Sequence, residues 1–146
     1  MSGEKAKAES ITTQLEGIAG AGDDFESQSQ ELTVKSRDGP KKREILQAIL
    51  RFMERHPEIE YGSPGGLVHF VETFPDYEEN LVESVERQPT PYTVWMLNRV
   101  INGKRNDTKE RRAFMLVMEH VLVNGAADAP TRHTASDFLE FQRGEN

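Results

Sequence analysis

Residues 63–103 read SPGGLVHFVETFPDYEENLVESVERQPTPYTVWMLNRVING. Apolar side chains recur there every three or four positions, and Pro75 and Pro89 separate the runs. That period belongs to amphipathic helices, whereas a half-buried strand alternates every second residue. Ser63-Pro64 and Thr90-Pro91 each offer a capping hydroxyl followed by a first-turn proline. Asp76 is placed to cap the run holding Tyr77, Leu81, Val82 and Val85, with Glu79 at the capping-box position. Val94, Leu97, Asn98 and Ile101 then share a face, flanked by Trp95 and Val100, until Gly103 ends the run.

The pattern extends in both directions. Residues 41–55 align Ile45, Ile49, Phe52 and Met53 on one stripe and stop before Pro57. Asp107 and Glu110 signal a start for the run containing Phe114, Val117, Met118, Val121 and Leu122, which is the most apolar and is expected to be central. Residues 134–142, with Phe138, Leu139 and Phe141, complete the set. The reading is all-α, with about five or six short helices, antiparallel to their neighbours, in a compact bundle or a short HEAT-like stack of helical pairs.

Residues 1–39 differ in composition. Glycine, serine and glutamine are frequent and large apolar side chains are few, which points to an N-terminal arm, partly disordered or loosely docked, before a helical domain at 40–146. Ile11, Leu15 and Ile18 nevertheless fall at helical spacing, and Phe25, Leu32 and Val34 could clip onto the body.

Several classes of chemistry lack their residues. Cysteine is absent, so disulfides, thiolate metal sites and cysteine nucleophiles are excluded. The four histidines, His56, His69, His120 and His133, show no metal-ligand spacing. Residues 62–66 (GSPGG) have the glycines of a phosphate loop without its Gly-Lys-Ser/Thr ending, and a turn feeding a helix accounts for them. No nucleophile elbow occurs, and the paired acids lie in polar sequence. No enzyme activity, cofactor or small-molecule substrate is expected. Without a membrane-length apolar run, the expected setting is soluble and cytoplasmic.

Charge gives the positive signal. The formal net charge is -7. Residues 54–86 hold nine acids against Arg55 alone, a local balance of -8, while residues 99–112 carry +4. An acidic surface with apolar and aromatic members steers a basic protein in and then holds it. The candidate partner-binding residues are Glu72, Asp76, Tyr77, Glu78, Glu79, Glu83 and Glu86, with Tyr61, Tyr77 and Tyr92 as aromatic anchors. The basic segment lacks interleaved aromatics, so nucleic acid is not expected as a partner. Asn98 is expected to be a buried amide bonded to neighbouring backbone, and Trp95 to pack in the core.

Within residues 61–124, the segments GGLVHFVE (65–72) and PTPYTVWMLNR (89–99) resemble small all-helical immunity proteins of bacterial polymorphic and contact-dependent toxin systems. The resemblance implies a protein that binds and neutralises a cognate toxin, with a basic nuclease-like effector as the form that suits an acidic inhibitor. The other reading of the same residues is a helical adaptor or regulatory scaffold that recruits a peptide or protein partner.

Overall fold

The computed structural model describes residues 2–36, 39, 41–62, 64–106 and 108–144, with side chains from residue 9 onward except at 35 and 36. All regular structure among them is helical, in eight α-helices and one short 3-10 turn. None of these helices is long and apolar enough to cross a membrane. The chain divides between Tyr77 and Glu78 into two compact units, which does not coincide with the compositional boundary at 39/40.

In the first unit, α1 (Ser2–Ile18) packs on α3 (Arg43–Arg55), and α2 (Phe25–Ser36) packs on α4 (Gly66–Glu72). The stretch read as an arm therefore holds two helices, and the count of about five or six was too low by these two. The physical reason lies in a few side chains. Ile11 and Leu15, one helical turn apart, are buried, and so is Phe25. Phe25 stacks on Phe52 with ring centroids 5.9 Å apart and meets Tyr61 edge-on at 5.6 Å. Average polarity argued for disorder, but these three anchors offset the ordering entropy of a mostly polar segment.

Tyr61, expected as a surface anchor, is instead buried, and its hydroxyl donates to the His56 carbonyl at 2.8 Å. The glycines beside it form a steric turn. Gly62 has φ +96°, and a Cβ at Gly65 would lie 2.0 Å from the Tyr61 carbonyl oxygen. Helix α4 begins after that turn with Gly65 at its N-cap, so Pro64 precedes the helix rather than occupying its first turn. The cap assigned to Ser63 lies outside the described residues.

Glu16 ties α1 to the end of α3, bonding Arg55 Nε at 3.0 Å and His56 Nε2 at 2.7 Å. Burial pushes the Glu16 pKa up, but the hydrogen bonds from Arg55 and His56 outweigh it and hold the carboxyl below its ordinary value.

In the second unit, α5 (Tyr77–Arg87) follows Asp76; its first residue, Tyr77, closes the first unit. Helix α6 (Pro91–Asn102) packs against both α7 (Lys109–Val121) and α8 (Ala129–Arg143). Its start is the one the sequence signals: Thr90 Oγ1 accepts from the Thr93 amide at 3.1 Å in a reciprocal capping box. Asp107 lies outside the described residues, and the cap of α7 is Thr108, which accepts from the Arg111 amide at 3.1 Å. Helix α8 starts earlier than residue 134 because Asp128 caps it, accepting from the Thr131 amide at 2.9 Å.

The central helix is α6 and not α7. Thr93, Val94, Met96, Leu97, Asn98, Val100 and Ile101 of α6 are buried, whereas α7 buries only Met118 and Val121. Asn98 is buried, but its Oδ1 accepts from the Gln142 side chain of α8 at 2.7 Å rather than from neighbouring backbone. Trp95 is only partly buried, lying against Tyr92 at 5.1 Å with the Arg99 guanidinium 5.3 Å from its ring.

Two outcomes are expected. Phe25→Ala removes about 3–5 kcal/mol of stability in urea unfolding followed by far-ultraviolet circular dichroism, where a loosely docked arm would leave the curve unmoved. Glu16→Gln costs less than about 1 kcal/mol at neutral pH, since the pair is partly exposed. A depressed carboxylate contributes above its ordinary value of 4.5 and loses that contribution as pH falls through the lower folded value, so the difference from wild type closes in that acid range.

Candidate acidic and apolar surface on the second unit

Helix α5 is amphipathic in the ordinary sense, burying Asn80, Leu81, Ser84 and Val85. Glu79, Glu83 and Glu86 are exposed on the other side. At 100° per residue these three fall within an arc of about 60°, one carboxylate per turn. The structure therefore brings together three of the seven residues assigned from sequence.

Glu78 is placed differently. Its Oε1 and Oε2 accept from Lys104 Nζ at 2.9 and 3.0 Å, and the same ammonium lies 2.8 Å from Glu110 Oε1 and 5.4 Å from the Phe114 ring centroid. Hydrogen bonds to Glu110 and Glu78 outweigh the opposing effect of burial and raise the Lys104 pKa above its ordinary value. One of the basic residues of the 99–112 segment is thus spent neutralising the acidic one, and Arg111 of that segment bonds Gln142. The remaining assigned residues belong to the first unit. Glu72 lies on α4 with Oε1 3.9 Å from His69 Nδ1, and Asp76 and Tyr77, both partly buried, lead into α5.

The Lys104 bridge joins the start of α5 to the start of α7. At their other ends Asn124 Nδ2 donates to the Glu86 carbonyl at 2.9 Å, and Gln88 Nε2 donates to the Ala126 carbonyl at 2.9 Å. These ties make α5 and α7 run in the same direction. Between their C-terminal halves lies a shallow depression lined by Val85, Val117, Val121 and Val123, with Glu86 on one rim and His120 on the other.

Its apolar character continues onto open surface. Leu116, Leu122 and Val123 are 54%, 38% and 83% exposed. Leu122 was assigned to the buried stripe of α7 and is at its edge instead. Residues 113–123 carry apolar side chains on more faces than one helix packing against a single layer can bury, so an excess such as Leu116 and Val123 must stay outside the core. That excess was the signal. No group of three or more histidine, aspartate or glutamate residues is arranged to hold a metal ion among the described residues.

Lys104→Met leaves two carboxylates without their shared cation and is expected to cost about 1–2 kcal/mol in urea unfolding monitored by Trp95 fluorescence. Because the folded pKa is raised, the bridge's contribution holds below the ordinary lysine value of 10.5 and disappears as pH rises through the folded value, so wild type and variant converge only in strong alkali.

Compared with protein-family models, with curated proteins and with solved structures, the chain finds no match.

Proposed function

We propose that this chain is a non-catalytic binding protein that captures a basic protein, and that it serves as an immunity-type inhibitor neutralising a toxin in the bacterial cytoplasm. The observation that carries the binding reading is the exposed stripe of Glu79, Glu83 and Glu86, whose Glu86 lines the same depression as the exposed Val123. Charge acts over a distance of about 8–10 Å at ordinary ionic strength and raises the rate of encounter. Apolar contact acts only after water leaves and slows release. A surface that offers both side by side suits durable capture better than fleeting contact.

The toxin-neutralising form rests on the likeness of residues 65–72 and 89–99 to immunity proteins, with the acidic stripe in support: a nuclease effector presents a basic groove for its substrate backbone, and carboxylates spaced one per turn can occupy it. Such an inhibitor needs no reaction of its own, only a rigid surface, which the Lys104 bridge and the Asn124 and Gln88 side-chain bonds provide.

The test is co-expression and co-purification with the product of the gene beside its own. A complex that protects cells from that product is expected. In the triple variant Glu79→Gln/Glu83→Gln/Glu86→Gln the association rate should drop by about tenfold or more at low salt, with the wild-type advantage vanishing in high salt. A complex with unchanged association kinetics would remove the acidic stripe from the account, and the absence of any complex at low salt would remove the inhibitor.

A further inference from the structure

The depression between α5 and α7 is the place where shape and chemistry say more about the partner than charge alone. We infer that it receives an amphipathic basic helix of the partner protein, with the apolar side of that helix on Val117 and Val123 and its lysines or arginines toward Glu79 and Glu86. This rests on the capture of a basic protein proposed above, and it specifies which element of that protein is held.

Three observations favour a helix. The two walls run in the same direction, and a furrow between such helices is the shape that a third helix fills by ridges-into-grooves packing. The apolar floor follows α7 from Val117 to its last residue, Val121, about 6 Å at 1.5 Å per residue, and continues onto Val123 past the helix end, so it takes apolar side chains one turn apart, at i and i+3 or i+4. No strand edge is exposed among the described residues. An extended segment could not find main-chain partners here, whereas a helix brings its backbone already bonded.

The charge pattern selects the polar side of that helix. Glu86 forms the α5 rim of the depression, and Glu79 lies two turns before it on the same side of α5. A second copy of this chain is disfavoured as the occupant, since a two-fold contact through this face would set the two acidic stripes against each other. The α7 side also offers exposed apolar surface: Val123, which lines the depression, is 83% exposed, and Leu116 on α7 is 54% exposed. A helix with one apolar face and a basic flank covers both features at once.

The test uses the full chain and two synthetic peptides of about 18 residues, long enough to form a helix on binding. Both contain the same leucines and lysines, one patterned at the helical period and the other scrambled. Binding is followed by fluorescence anisotropy at low salt and by amide chemical shifts. The patterned peptide should bind at least about tenfold tighter than its isomer, with shifts concentrated at 79–86 and 113–124. Leu116→Ser/Val123→Ser should remove most of that difference, while Val34→Ser, an exposed apolar site on the first unit, should leave it intact. Equal affinity for both peptides, unaffected by Leu116→Ser/Val123→Ser, would overturn the groove and leave the acidic stripe standing. If neither peptide responds to Glu79→Gln/Glu83→Gln/Glu86→Gln, the acidic stripe falls as well.

Discussion

Helices as short as these do not persist alone. Segments of fewer than about 12–15 residues are marginal in water, and α4, α5 and α6 have seven, 11 and 12 residues. Each is held in place by burying its apolar side against another, so coverage of apolar faces decides what is rigid and what is left over. In the first unit the Phe25, Phe52 and Tyr61 rings perform that task for segments far apart in the chain. In the second, α6 is enclosed to such an extent that seven of its residues are buried.

What remains uncovered then acquires meaning. Helix α7 has more apolar side chains than its neighbours cover, because α6 and α8 occupy only one part of its circumference. Under the function proposed above, the exposed Leu116, Leu122 and Val123 supply the apolar part of the binding surface. On that proposal, Glu86 and Val123 in one depression combine long-range attraction with short-range adhesion.

The Lys104 bridge illustrates how local charge totals can mislead. Counting residues 54–86 as one acidic block treats Glu78 as equivalent to Glu79, yet one turns to an ammonium 26 positions along the chain and the other to solvent. The same limitation applies to Asn98, whose partner Gln142 is 44 positions away, and to Phe25, whose stacking partner lies on α3. Composition made residues 1–39 look like an arm because it averages over a segment, while docking depends on a few side chains. Legible signals were those spanning one turn. Thr90-Pro91 reads as a helix start in the sequence, and in the structure Thr90 is the N-cap of α6 with Pro91 in its first turn. Asp128, three residues before Thr131, carried an equally local signal that the brief apolar face of α8 obscured.

Helical periodicity, proline punctuation and capping hydroxyls act through neighbours a few residues apart, so the sequence by itself determined that the fold is all-helical and roughly where most of the helices after residue 40 begin and end. Tertiary structure alone decided that residues 2–36 contribute two helices, that Glu78 bonds Lys104 while Glu79, Glu83 and Glu86 come together as an exposed stripe, that Tyr61 is core, and that Leu116 and Val123 stay exposed. The reason is that burial and ion pairing are properties of where distant segments meet, and no periodicity within a segment records which of its faces another segment will cover.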